Sequence, residues 1–479
     1  CYSITIRADD IFSRKNITEY LEKKKIQTRP IMAGNMAEQP SVKTYKNKIR
    51  GSLKNSELIM RNGFFFGNHQ DIGQEEREFV ADSIIHRDIG DTVEVFDNNI
   101  TNSNNYFAFT VPFSTVFTYS NGTETTTSYS TNETINSDSY TVPDGYFLTE
   151  VDISPTVTTI GDNALSDATL TSITVNQSNT DYKDISGVLF DSSGATLIQY
   201  PTGNTSMTSY VIPSGVTIIA QSAFFQAQNL TSITIPEGIE RIETYTFYAT
   251  SKLTSINIPA SVTNISSYAF LASGLATITF AEGSKLINID FGTFQSTKLS
   301  SIIIPESVTS IGIDAFKRTS YLTSITIPES VTNIGDSAFT FATKLTSVIF
   351  EGGSQLKTIP YDMFSYNYVL TSINIPSTIT TIGQSAFYAC NALESIDIQN
   401  TVEYIGDYAF HGCVKLKNIN RYNIMPTSIK TIGERVFKNT LIESIMFMTD
   451  NYNNLTNTSF NDNAFSDSNI TSFTMSEGI

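Results

Sequence analysis

The chain has 479 residues, 40% of them hydrophobic and 16% charged, which is more than one ordinary core holds unless the architecture is elongated. No run of about 18 apolar residues occurs, so no transmembrane helix is read, and the three cysteines exclude a disulfide framework. The formal charge of −17 is uneven: residues 1–87 hold 15 Lys and Arg against 11 Asp and Glu, and the remainder 15 against 36. Such a step marks two segments of different origin, and the acidic one is expected to repel nucleic acid and anionic membrane surfaces.

The opening "CYSITIRADD" has no initiator Met and no charged-then-apolar leader, so a fragment is expected at the front. Residues 1–87 carry no repeat and read as a small α+β unit. "YSITI", "IQTRPIM" and "FFF" are strands. Ser13 caps a helix through "RKNITEYLEKKK", "NSELIMRNG" is a short helix from Asn55, and "DIGQEEREFVADSII" is a closing helix with Asp71 and Gln74 spaced as a capping box.

Residues 88–147 contain "NNITNSNNYF" and "YSNGTETTTSYSTNETINSDSY", an Asn/Ser/Thr-rich linker in which "FAFTVPFSTVFTY" favours strands.

From residue 148 the chain repeats itself. Leu148 and Leu170 open two units, and Leu230, Leu253, Leu275, Leu299, Leu322, Leu345, Leu370, Leu393, Leu416 and Leu441 open the rest at intervals of 22 to 25 residues. Each unit reads roughly L-x-x-I-x-I-P-x-x-V-x-x-I-G-x-x-A-F. "TSITI" alternates with period two and is a short strand. Pro236, Pro259, Pro305, Pro328 and Pro376 end that strand, because proline has no N–H for the ladder. A second extended stretch turns at Gly312, Gly335, Gly383, Gly406 and Gly433. One Phe then anchors each coil: Phe224, Phe247, Phe270, Phe294, Phe316, Phe339, Phe364, Phe387, Phe410, Phe437 and Phe465. No single unit buries its own apolar residues. Stacked units do, with each Phe on the next, which predicts a right-handed solenoid with a parallel sheet on one face. The sequence stops in mid-repeat at "ITSFTMSEGI".

Outward strand positions form a ladder of one residue per coil: Thr234, Asn257, Thr279, Ile303, Thr326, Ile349, Asn374, Asp397 and Asn420. The polar members Thr234, Asn257, Thr279, Thr326, Asn374, Asp397 and Asn420 are the candidate binding face. The same pattern also suits plain β-favouring surface residues. Cys390 and Cys413 share one slot 23 residues apart, as small side chains stacked in a core. N-x-S/T sequons at Asn16, Asn99, Asn121, Asn132, Asn176, Asn204, Asn229, Asn264, Asn454, Asn457 and Asn469 are what an Asn/Ser/Thr-rich chain makes by chance. No catalytic residue and no metal set stands out. His69 has no partner argued by sequence, and His86 and His411 are isolated.

"LTSITIPESVTNIGDSAF" resembles the leucine-rich repeats of the BspA-like type, over residues 148–479, and "GVLFDSSGATLIQYPTG" resembles that family's variant unit. The resemblance implies a leucine-rich-repeat solenoid, adhesion or binding of a protein or glycan, an extracellular or cell-surface setting, and no catalysis. The chain departs from the family in keeping the consensus Cys in only two units and in carrying an Asn-rich insertion, "DNYNNLTNTSFND". "TRPIMAGNMAEQP" and "LKNSELIMRNGFFFGNHQDIG" resemble the C-terminal end of DegT/DnrJ/StrS sugar aminotransferases, in the sugar-nucleotide 3-dehydratase branch. That resemblance implies that Arg29, Gly34, Asn35 and His69 would line the substrate side of a complete site. It places pyridoxal phosphate in a larger domain that this stretch lacks. No cofactor is therefore expected, and the four residues read as vestigial. Besides the binding protein, two further readings stand: a pyridoxal-phosphate enzyme fragment fused to a repeat array, and a structural spacer.

Overall fold

The computed structural model describes residues 114–130, 132–166, 169–449, 459–461 and 463–477, with the backbone of five strands before them. The chain forms two compact units. One holds Cys1–Tyr146, Glu150–Ile160 and Val175–Asp181, the other Phe147–Thr149, Gly161–Thr174 and Tyr182–Ile479.

In the first unit an antiparallel sheet runs in the order Thr28–Pro30, Phe64–Phe66, Tyr2–Ile6, Val93–Asp97, Phe107–Phe109. The strands expected at "IQTRPIM", "FFF" and "YSITI" are the first three of these. The three expected helices lie outside the described residues. Thr115–Ser120 and Thr125–Ser130 then make an antiparallel hairpin. Asn121 shapes its turn: the side-chain oxygen accepts the N–H groups of Thr123 at 2.9 Å and Glu124 at 2.8 Å. Phe117 and Tyr119 are buried, and the Phe117 ring stacks on Tyr140 at 4.7 Å.

The second unit is a parallel β-solenoid. It contains an antiparallel meander of Tyr182–Ile185, Val188–Asp191 and Thr196–Gln199, the stretch where the repeat is irregular. Its tight turn places Ser186 and Gly187 at φ 54° and 81°, as a two-residue hairpin turn requires. Each later coil has three segments, and the coil opened by Leu322 illustrates them.

The first segment is the strand Ser324–Ile327, which pairs in parallel with Ser347–Phe350. Ile325 and Ile327 face the core, where burial of each aliphatic side chain contributes about 2 kcal/mol. Pro328 ends the ladder by lacking a donor. In coils without that proline, Ala281 and Glu351 keep their N–H groups and donate to the carbonyls of Ile258 at 2.9 Å and Ile327 at 3.0 Å. The Pro328 carbonyl instead accepts the Val331 N–H at 3.1 Å and turns the chain.

The second segment, Asn333–Ile334, is also a strand in a parallel ladder. The solenoid thus has a second strand side besides the expected sheet face. Gly335 follows, because a Cβ there would lie 2.3 Å from the Ile313 amide nitrogen of the preceding coil.

The third segment forms another ladder, which no sequence pattern announces. Residues two before and two after the anchoring Phe have positive φ, here Ser337 at 57° and Phe341 at 59°. This alternation aims every second N–H at the following coil. Ser337, Phe339 and Phe341 donate to the carbonyls of Tyr361, Met363 and Ser365 at 2.8, 3.0 and 3.0 Å. The polarity is opposite to that of the strand ladders, where Gly335 donates back to Ile311 at 2.8 Å. A left-handed non-Gly residue costs about 1 kcal/mol, which the inter-coil hydrogen bonds offset.

The anchors stack as the repeat implies. Successive rings from Phe224 through Phe247, Phe270, Phe294 and Phe316 lie 5.2 to 5.6 Å apart. The column continues through Phe339, Phe364, Phe387, Phe410, Phe437 and Phe465 at 5.2 to 6.2 Å. The opening leucines are buried, with one correction. Leu441 is 43% exposed and Ile442 takes the core position, because this coil is one residue shorter between its Phe and its opening aliphatic. The slot three residues after each Phe, where it is buried, is polar in six coils and apolar in four. Thr250, Thr297, Thr319 and Thr440 donate their hydroxyls to the carbonyl of their own Phe at 2.6 to 2.9 Å. Cys390 and Cys413 occupy this slot as free thiols, with Sγ 3.1 Å from the carbonyls of Phe364 and Phe387.

Candidate binding face

The first strands place the predicted ladder residues in register. Thr234 lies beside Val211, Asn257 beside Thr279, Ile303 beside Thr326, Thr326 beside Ile349, and Asn374 beside Asp397. Thr234, Asn257, Thr279, Asn374 and Asp397 are exposed and Thr326 is half-buried. Ile303 and Ile349 are 86% and 54% exposed, single apolar residues separated by Thr326 on an otherwise polar row. A parallel column of small hydroxyls runs beside the ladder, with Ser324, Ser347 and Ser372 in register. The Thr279 hydroxyl donates to the Asn257 side-chain oxygen at 2.9 Å, so ladder members also satisfy one another.

Two positions differ from the pattern. Val211, at the head of the ladder and 68% exposed, belongs to it. The irregular unit hides its periodicity in the sequence. Asn420 is half-buried at φ 52°, and both polar ends of its side chain are engaged. Its oxygen accepts the Ile398 N–H at 2.8 Å and its amide donates to the Ile424 carbonyl at 2.6 Å. It closes the ladder at this end.

Of the other marked residues, Arg29 lies on the Thr28–Pro30 strand, while Gly34, Asn35, His69 and His86 lie outside the described residues. His411 is half-buried between the rings of Tyr388 and Tyr408, at 4.9 and 5.7 Å. Burial, with Lys438 and Arg435 nearby, lowers its pKa and holds it neutral. Asn264, a sequon residue, is buried and donates to Asp290 at 3.1 Å, which removes it as a glycan acceptor. Among the described residues no group of three or more His, Cys, Asp or Glu is placed to hold a metal ion, and no helix is long and apolar enough to cross a membrane.

Parallel ladders around an aliphatic and phenylalanine core, repeated over about 14 turns, define a leucine-rich-repeat solenoid. The chain belongs to the family described as the BspA type leucine rich repeat region, whose profile matches residues 97–196, 195–318, 287–417 and 357–479. A solved leucine-rich repeat protein from Bacteroides ovatus is 27% identical, with 69% of this chain and 84% of that one covered at a TM-score of 0.52. The front of the chain has other relatives. A dTDP-4-dehydro-2,6-dideoxy-D-glucose 3-dehydratase from Saccharopolyspora spinosa is 30% identical over 83 residues, 17% of this chain and 18% of that protein. A GDP-4-keto-6-deoxy-D-mannose 3-dehydratase from Escherichia coli O55:H7 is 34% identical over 70 residues, 14% of this chain and 18% of that protein. The chain thus spans less than a fifth of the length of the curated relatives it matches.

Proposed function

We propose that this chain is a non-catalytic binding protein that presents the first-strand ladder of its solenoid to a protein or glycan outside the cell. The observation that carries this reading is the register. Thr234, Asn257, Thr279, Asn374 and Asp397 stand exposed on coils whose backbone groups bond to neighbouring coils, so the row is preorganised. Family membership supports a binding or adhesive role and a cell-surface setting. The experiment is a glycan and protein array probed with the full chain, followed by titration of hits. A saturable ligand should weaken about tenfold or more with Asn374→Ala plus Asp397→Ala, since truncating polar groups at an interface costs on the order of 1–2 kcal/mol. An array without saturable hits, or a hit indifferent to these and to Thr234→Ala, sinks the reading.

The dehydratase likeness favours a second reading, an enzyme fragment joined to the array. The matched stretch contains neither the phosphate site nor the cofactor-handling residue that the resemblance places in a larger domain. Titrating the full chain with pyridoxal phosphate separates the readings: no protein-bound cofactor absorbance is expected.

A further inference from the structure

The turn segments carry a surface that the strand ladder does not use. Across the coils anchored by Phe316 to Phe410, these segments hold the half-buried Phe341, Tyr366, Tyr388 and His411 and the exposed Tyr321 and Tyr368. Phe341 stacks on Tyr366 with centroids 4.3 Å apart and planes within 6°. Tyr366 meets Tyr388 edge-on at 5.3 Å and Tyr368 at 6.2 Å, and Tyr388 reaches His411 at 4.9 Å. Two cations lie on these rings. The Arg318 guanidinium is 5.8 Å from the Phe341 centroid and the Lys344 ammonium 4.6 Å from that of Tyr321. Among the described residues neither cation forms an ion pair, whereas neighbouring Lys317 is bound to Asp314 at 3.1 Å and Lys438 to Asp467 at 2.9 Å.

We propose that this aromatic patch is a second docking surface and that it takes an acidic polypeptide segment. Composition argues for a protein interface. Tyr and Arg dominate binding energy where proteins meet, whereas the Ser and Thr of the strand ladder are under-represented among such residues. Ring geometry argues against a sugar. The Phe341–Tyr366 stack covers one face of each ring, and cations lie over Phe341 and Tyr321, which leaves few of the faces on which a pyranose would lie. What an aromatic ring offers at its edge is positive charge, and the patch adds the unpaired Arg318 and Lys344; of the carboxylates beside its rings, Asp362 near Tyr366 is half-buried and Asp467 near His411 is bound to Lys438. Glutamate or aspartate side chains complement both. The surrounding array, with 15 basic residues against 36 acidic ones beyond residue 87, repels such a segment, so contact is confined to the patch.

The test uses the full chain and a random Glu–Tyr copolymer as probe, in biolayer interferometry at low and at raised salt. Saturable binding is expected, weakened by salt, and reduced about tenfold by Lys344→Glu and separately by Tyr368→Ser. Both residues are exposed, so thermal midpoints matching the parent chain establish that these variants fold. Arg318→Glu should act in the same direction. Asn374→Ala plus Asp397→Ala should leave copolymer binding unchanged, which separates this proposal from the strand-ladder reading. No saturable binding, or binding unaffected by Lys344→Glu and Tyr368→Ser, overturns it. Equal binding of polygalacturonate overturns the polypeptide assignment in favour of any polyanion. Self-association in light scattering that Tyr368→Ser abolishes overturns it in favour of a second copy of the chain.

Discussion

Asp362 sits at one of the left-handed positions, φ 53°, beside the buried anchor Phe364. Burial raises its carboxyl pKa. Hydrogen bonds from Tyr361 and Ser365 and the charge of Lys317 pull it down without cancelling that effect, and Asp336 pushes it further up. A folded pKa above the unfolded one means that the protonated acid stabilises the fold below the ordinary carboxylate range. That contribution is lost as pH rises through the raised value. Asp362→Asn should therefore raise the melting temperature at neutral pH, and the gain should shrink as pH falls into the carboxylate range. Melting curves of both proteins against pH check this, and a gain independent of pH would count against it. Cys413 poses the opposite question at the same scale. Its thiol, buried beside Cys390, has a pKa raised well above the usual thiol range by burial, so it behaves as a neutral donor to the Phe387 carbonyl. Because Thr fills the equivalent slot in four other coils, where its hydroxyl bonds the carbonyl of its own Phe rather than that of the preceding coil, Cys413→Thr should change stability by less than about 1 kcal/mol. Cys413→Leu should cost about 1–3 kcal/mol by overpacking, measured in urea.

Within the coil, the elements were legible to the degree that side-chain chemistry dictated them. Period two in "TSITI" fixed the strand and its outward residues, so the ladder from Thr234 to Asp397 followed directly. Pro328 marked the ladder's end because of the donor it lacks. Gly335 marked the turn, although its reason is the backbone of the coil below rather than a positive φ. Gly335→Ala should therefore cost about 1–3 kcal/mol, since its new methyl meets main chain that cannot swing aside. Gly352→Ala, with open space around it, should stay within about 0.5 kcal/mol. Equal effects in chemical denaturation would refute the close-approach argument. The turn ladder was not legible. Its left-handed positions mostly hold residues such as Ser, Tyr, Asp, Ala and Arg, with the Gly or Asn that signals positive φ only at Gly292, Gly412, Asn439 and Asn463, and inter-coil hydrogen bonds fix them instead. The aromatic patch stayed hidden for the same reason, because its rings come from different offsets in successive coils. Asn420 and Leu441 were misplaced by coil length, which a repeating template averages away.

Across the whole array, stability is set by contacts between neighbouring coils. Among the described residues each coil's strands and anchoring Phe pair with those of the coils before and after it, so cooperativity passes through every interface in series. A large defect in the middle should divide the solenoid rather than weaken it evenly. Phe339 is the place to cut. It is fully buried, 5.2 Å from Phe316 and 5.7 Å from Phe364, and Phe339→Ala removes both stacks at once. The local cost is about 3–5 kcal/mol, comparable with the whole stability of many domains. Hydrogen exchange should report this as a gradient. Amides in the turn ladder around Phe316 and Phe364 should lose the most protection, and those around Phe247 and Phe437 the least. In urea the transition should be broader than the parent's or split, with a lower apparent m-value, as the two halves begin to unfold separately. Tyr422→Ala, on an exposed side chain, is the control and should leave both measurements unchanged. A uniform fall in protection along the array, with an unchanged m-value, would mean that the coils cooperate over longer range than nearest neighbours. The stacked phenylalanines would then not be the link through which they do so.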